Sequence, residues 1–389
     1  MQKVARVTAT LVAAWALVAL VCALTGAPRW AVIHPLTLGA VTTAILTFSS
    51  HFTDALTRTA TTSFAGLFTR IAAVNVALVA LLLDALRSHF SPLSHTAATV
   101  AIAAVTWHGV SLARRLRAAR GGFSGPFAAT AFCYVAAAVF FALAVVVVLI
   151  GVLEPSLFDA HLSAHSRLAI WGFVFPTVAG TVVTLLPTIA GTGPALVART
   201  RIPRALAAHC VALSLAAACL LATPHLPGSL STAAVSLAGA ALLVSGLAWA
   251  WALQPVLAAV IAPGLSNLNA SALSVAAGLL WLLAALFADA VLLLTNAGHV
   301  ASSRIPDSLL ALVLTAGLAQ MIAGVLGHLL PVLTGHRPGP DTGFVKVGIL
   351  NAGAVVALVS PRIGLAILAV GLLLHVARIV ERLAPHETL

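Results

Sequence analysis

Charge is what this chain has least of. Only 7% of its 389 residues are Asp, Glu, Lys or Arg, whereas a soluble domain carries about 25%. Lysine occurs twice, methionine twice and tyrosine once, and there are four cysteines. With 61% hydrophobic residues and a mean hydropathy of +1.11, the composition excludes a soluble domain. The cysteines (Cys22, Cys133, Cys210 and Cys219) form no CxxC pair and no Cys/His ligand spacing, which excludes a zinc finger and a disulfide framework. All four fall in apolar runs, where a buried small hydrophobe is the expected role. Two methionines are too few for a soft-ligand copper relay. What the chain does have in excess is histidine, with fourteen copies. Several stand inside apolar runs, where an ionisable side chain is costly and marks a functional site.

The apolar runs set the fold class. Stretches of about 20 residues match the hydrocarbon thickness of a bilayer. The sequence offers them at 5–26, 31–52, 64–86, 94–113, 127–153, 163–190, 203–222, 230–252, 271–295, 307–334, 343–360 and 362–381. Backbone polar groups in lipid must be satisfied within the segment, so spans of this length are helices. The expectation is an all-α integral membrane protein of about twelve transmembrane helices, forming one polytopic domain over 1–389. The first run has no small-residue cleavage site before Ala27-Pro28-Arg29, so it reads as a span and not as a removed leader.

The net charge of +11 resembles a nucleic-acid signal until the charges are placed. With the N-terminus in the cytoplasm and alternating spans, fifteen of the twenty basic residues fall inside, among them the Arg114–Arg120 and Arg199–Arg204 clusters. Only Arg29, Arg87, Arg167, Arg304 and Arg362 fall outside. That asymmetry is the positive-inside rule. It supports an even number of spans with both termini in the cytoplasm, makes the arginines topology signals first, and leaves nucleic acid a remote alternative.

Spans 2, 6 and 10 share a pattern: an early glycine (Gly39, Gly172, Gly317) and a special residue near the inner end (His51, Pro187, Pro331). The glycines are 133 and 145 residues apart, four spans each. The pattern predicts three four-helix repeats, whose interfaces are where membrane folds place their sites.

Alternation then sorts the histidines by depth. His34, His89, His95, His161, His165, His225 and His299 fall toward the outer face; His51, His108, His209, His328, His336, His375 and His386 fall toward the inner face. His34 and His51 share span 2 and stand about 26 Å apart along it, too far for one site. The expected groups are an outer pair, His34 with His165, and an inner group of His51, His108 and His328. Two imidazoles from facing helices are what a six-coordinate haem iron needs. His161 and His165 form an H-x3-H beside Asp159; residues i and i+4 share a helical face and can hold a metal ion, copper or zinc. His89 and His95 read as solvated loop residues, and His336 as a turn residue. Asn75, Asp289, Gln320 and Asn351 are the other polar residues placed within spans, with Asp289 the carboxylate deepest in a helix. Capping and interhelical hydrogen bonds are expected to occupy the amides, and no chain of polar groups suited to proton transfer is legible.

Four runs carry a family resemblance: IHPLTLGAVTTAILTFSSHF, TWHGVSLARRLR, HSRLAIWGFVFPTVAGTVVTLLPTI and AGLAQMIAGVLGHLLPVLTG. Their order over about 350 residues resembles the membrane part of actinobacterial proteins labelled copper oxidases, some of which carry a fused copper domain outside the membrane. The pattern is similar, more distantly, to the NnrS family of haem and copper membrane proteins linked to nitric oxide stress. More distantly still it is similar to subunit I of haem–copper oxidases, with twelve helices, a pseudo-threefold arrangement and ligands on spans 2, 6 and 10. The resemblance maps ligand roles onto His34 and His51 of span 2, His108 of the WH motif and His165 at the start of span 6. His328 falls where the copper-oxidase-like pattern has a small polar residue. The departures from a true oxidase are an absent His-His pair on span 7, an absent H-x-H on span 10 and no cross-linkable His and Tyr on span 6; the one tyrosine is Tyr134. The resemblance implies haem b, with copper as a second candidate, and one-electron chemistry with a quinol or an external copper protein, or nitric oxide and nitrite chemistry. The competing readings are a transporter for a metal or small solute, with histidines as passing ligands, and a cofactor-free anchor for a redox partner.

Overall fold

The computed structural model describes residues 2–59, 62–87, 91–119, 128–264, 267–296, 304–333 and 341–383. His89, His299, His336 and His386 lie outside the described residues. The chain is 90% helix with no strand among the described residues. In chain order the helices are α1 (Gln2–Leu24), α2 (Arg29–His34), α3 (Thr42–Thr57), α4 (Phe64–Arg87), α5 (Pro92–Ala118), α6 (Ala128–Leu153), α7 (Phe158–Arg167) and α8 (Phe175–Ala190). They continue with α9 (Ala198–Ala222), α10 (Gly228–Ile261), α11 (Ala270–Thr295), α12 (Asp307–Leu312), α13 (Gln320–Leu333), α14 (Phe344–Val359) and α15 (Pro361–Leu383). Eleven helical rods among the described residues are long and apolar enough to cross a membrane. The twelfth, α14, has 16 residues. The protein is a polytopic membrane protein, and the expected runs correspond to the rods one for one.

Three rods are not plain α-helix. Pro35–Val41 between α2 and α3, Leu168–Val174 between α7 and α8, and Val313–Ala319 between α12 and α13 are π-helical, seven residues each. In each the fifth residue is glycine: Gly39, Gly172 and Gly317. A Cβ on Gly39 would come within 2.5 Å of the Trp15 ring on α1; on Gly172, within 2.6 Å of Phe140 on α6; on Gly317, within 2.6 Å of Leu282 on α11. A π turn adds a residue to the helical repeat and widens it locally, and in all three places a large side chain of the preceding rod is pressed onto the bare glycine. In the first π segment the Thr42 hydroxyl donates to the Thr37 carbonyl five residues back at 2.9 Å.

The helix ends follow ordinary chemistry. Ser91 caps α5, its hydroxyl accepting from Leu93 N–H at 3.1 Å, with Pro92 supplying a preset φ at the first helical position. Asn269 caps α11 by accepting from Ala272 N–H at 2.8 Å. Arg58 ends α3 in the left-handed conformation, φ 53°. Asp84, buried near the end of α4, accepts from the backbone and hydroxyl of Ser91 and Ser94 and ties α4 to the start of α5.

The chain divides into two compact units. Unit 1 is 1–181, 213–238 and 298–304; unit 2 is 182–212, 239–297 and 305–389. In unit 1, Trp15 packs with Ala31, Ala40, Leu78 and Leu82, joining α1, α2, the first π segment and α4. In unit 2, Leu312, Ala316, Leu350, Ala354, Ala357 and Leu368 form the core, with Trp281 against them. There α14 and α15 approach backbone to backbone: a Cβ on Gly364 would fall 2.2 Å from Ala357 N. Close approach through small residues is how helices gain packing energy in lipid, which offers no hydrophobic drive between them. Of the cysteines only Cys133 is buried; Cys22, Cys210 and Cys219 are half-buried, so the expectation of four buried thiols is corrected. Those three lie on faces of α1 and α9 that the units leave partly uncovered, which in a bilayer satisfies the thiol's apolar character as well as a core does.

Candidate functional site

His34 and His165, the pair expected toward the outer face, meet. His34 ends α2 immediately before the first π segment, and His165 stands on α7 three residues before the second. Their ring centroids are 6.4 Å apart with 15° between the planes. His34 Nδ1–H donates to the Trp30 carbonyl at 3.0 Å, and the Trp30 indole lies against the ring with centroids 4.5 Å apart. His165 Nδ1–H donates to the Ala144 carbonyl on α6 at 2.8 Å. An Nδ1–H bonded to a carbonyl sets the tautomer and leaves the Nε2 lone pair for a metal. Both residues are half-buried. The π segments matter here because an added residue changes the direction of side chains around it, and such turns gather at functional sites.

The pair can be tested against an iron–porphyrin. A metal–imidazole bond is about 2.0 Å, and adding about 1.2 Å from nitrogen to ring centre on each side gives about 6.4 Å between two rings on one iron. The His34–His165 centroid spacing of 6.4 Å matches that distance. The protein has to furnish only two ligands, since a porphyrin contributes the other four.

The remaining candidates are arranged differently. His161, buried on α7, has Nδ1 bonded to the Leu157 carbonyl at 2.9 Å. It shares a helical face with His165, but no group of three or more His, Cys, Asp or Glu suited to a metal ion occurs among the described residues. His51, in the C-terminal half of α3, is half-buried with its ring tilted against Phe52 at 5.8 Å. His108 is 3% exposed and both of its nitrogens are engaged. Arg70 Nη1 donates to Nδ1 at 3.3 Å, so Nε2 carries the proton and donates to Ser49 Oγ at 2.8 Å. In this arrangement His108 has no nitrogen left for iron. His328 lies in unit 2, half-buried on α13. The structure therefore unites His34 with His165 and gives His108 a hydrogen-bonding role.

Several buried polar groups were not legible as such. Arg70 and Arg167, read from sequence as topology signals, are 2% and 1% exposed. Arg70 Nε donates to the Gly66 carbonyl at 2.9 Å, and its guanidinium lies 5.5 Å from the Trp107 ring centre. Arg167, two residues after His165, donates to the Ser163 carbonyl at 3.2 Å and hydroxyl at 2.6 Å. Both sit more than one turn inside an apolar run, which was the available signal. His95, expected in a solvated loop, belongs to the first turn of α5, with Nδ1 on the Ser91 carbonyl at 2.9 Å. The amides behave unequally. Asn75 bonds Trp15, Thr43 and the Ile71 carbonyl, and Asn351 bonds Trp281 and the Val347 carbonyl. Gln320, fully buried, has no hydrogen-bond partner for either amide atom among the described residues, contrary to expectation.

No protein-family model matches the chain, and no curated protein matches it.

Proposed function

We propose that the protein is a multi-pass bacterial inner-membrane haem protein for one-electron chemistry, with His34 and His165 as the axial pair of a haem b. The observation that carries this reading is the 6.4 Å, near-parallel placement of two imidazoles whose Nδ1 atoms are both tied to backbone carbonyls. Haem bound there supplies an iron couple that takes and gives single electrons. The chain's own contribution is positional: Trp30 O and Ala144 O fix the two tautomers, and the π segments next to each histidine set the ring directions. Arg167 adds a buried positive charge two residues from His165, which favours the reduced, less positive state of a nearby metal.

The three π segments, each with glycine at its fifth position under a large side chain of the preceding rod, support the reading of three four-helix repeats and a subunit I-like arrangement. The charge asymmetry supports cytoplasmic termini. The electron partner on this reading is a membrane quinol or an external copper protein, and a haem with one position open would take nitric oxide.

An absorption spectrum of the protein purified from a haem-sufficient host tests the proposal. Reduced b-type bands in the wild type and their loss in both His34→Ala and His165→Ala are expected, with bands retained in His328→Ala. A folded, colourless wild type, or unchanged spectra in the two alanine variants, would overturn it.

A further inference from the structure

Unit 2 buries polar groups in a sequence of levels that the proposed haem site does not use. At the end of the unit where α11 begins, Lys346 Nζ pairs with Asp341 Oδ2 at 2.7 Å, their side chains 4% and 2% exposed. Ser271 Oγ donates to the same carboxylate oxygen at 2.8 Å. One turn along α11, Ser274 Oγ and His375 Nε2 of α15 are 3.3 Å apart. His375 is 1% exposed, and its Nδ1 has no hydrogen-bond partner among the described residues. Lys346 and Asp341 are the charged groups that act on it through space.

The backbone of α13 packs directly against this ladder through two glycines. A Cβ on Gly327 would lie 2.9 Å from Ser271 Oγ, and one on Gly324 would lie 2.8 Å from Ser274 Cβ. Gln320 is one further turn along the same helical face, about 6 Å beyond Gly324. Its amide nitrogen and oxygen are fully buried and have no partners among the described residues. From Ser271 to the level of Gln320 the ladder runs about 10 Å into the helices.

Three unpartnered polar atoms on two neighbouring helices are far more than a dry interior tolerates. Rotating the Gln320 amide cannot repair it, since both ends lack partners. Two imidazole or amide groups with open donors and acceptors, next to hydroxyls, are what buried water needs in order to make its usual two to four bonds.

We propose that unit 2 encloses a chain of buried water that runs from the Asp341–Lys346 pair, past Ser271, Ser274 and His375, to Gln320 on α13. Water bridges His375 Nδ1 to the Gln320 amide, and the passage stops there because Met321, Gly317 and Gly278 close the next level with backbone and apolar contacts.

Water-to-nitrogen magnetisation transfer in ¹⁵N-histidine-labelled protein in lipid bilayers reads this directly. The His375 signals are assigned by their loss in His375→Gln. The ring is expected to receive magnetisation from water at a rate within a few-fold of the exposed His225. No transfer to His375 under conditions where His225 receives it would overturn the proposal. In Gln320→Leu the transfer to His375 is expected to slow several-fold, because the innermost water loses its anchor; an unchanged rate would overturn the assignment of Gln320 as the terminus. Neither readout depends on haem.

Discussion

At the residue scale, two histidines that look alike in sequence do different work. His34 keeps Nε2 available, whereas His108 spends one nitrogen on Arg70 and the other on Ser49. His108→Ala should therefore leave any haem spectrum intact and cost about 1–3 kcal/mol of stability, because the buried Arg70 loses an acceptor; thermal unfolding in detergent, followed with the spectrum, separates the two effects. The pairing of His34 with His165 was legible because helical rise gives depth and alternation gives side. The role of His108 was not, because depth says nothing about which partner a ring nitrogen meets, and the buried Arg70 was hidden by its resemblance to a loop arginine. Asp341 makes a second prediction. Burial works to raise its carboxyl pKa, but hydrogen bonds from Lys346, Ser271 and the Gly343 N–H outweigh it, and the pKa is lowered from 3.8. A lowered folded-state pKa stabilises the fold above the unfolded value and loses that contribution as pH falls through the folded one. The melting temperature should thus decline as pH drops below about 4. Asp341→Asn should lack that slope and be less stable at pH 7, since Lys346 is left buried and unpaired, at a cost of about 3–5 kcal/mol.

At the element scale the π segments are the informative feature. A π turn holds one residue more than the helix around it needs, so deleting one residue from Pro35–Val41 restores the α repeat and keeps α3 in phase. Deleting one residue inside α3 instead turns everything beyond it by about 100°. Removal of Leu38 should give a folded, monodisperse protein, whereas removal of Leu46, which is fully buried, should abolish folding. Size-exclusion profiles of the two deletions decide the matter. The rods themselves were readable from hydropathy, because lipid enforces both length and helicity. The π segments were not, because their residues are as apolar as their neighbours and differ only in hydrogen-bond register. The glycines were the trace they left: the repeat of Gly39, Gly172 and Gly317 was visible without its cause. A separate prediction belongs to the α14–α15 hairpin. Gly364→Val drives a side chain into the Ala357 backbone and should separate the two helices, measured as a loss of about 1–3 kcal/mol in unfolding or as failure to fold.

At the scale of the whole molecule, the arrangement of charges makes an orientation testable. Reporter fusions after Arg117 and after Arg201 should both read as cytoplasmic, and one after Arg29 as external. The reverse pattern would invert the proposed placement of the haem pair while leaving its geometry untouched. One dimension also stands out against the others. Helix α14 has 16 residues, which is about 24 Å of rise, while the hydrocarbon it must cross is about 30 Å. Its ends are bare, with Phe344 44% and Val359 90% exposed. A crossing by α14 therefore calls for local thinning of the bilayer, and the protein is expected to be steadiest in bilayers with shorter acyl chains, read as a higher melting temperature in short-chain than in long-chain lipid.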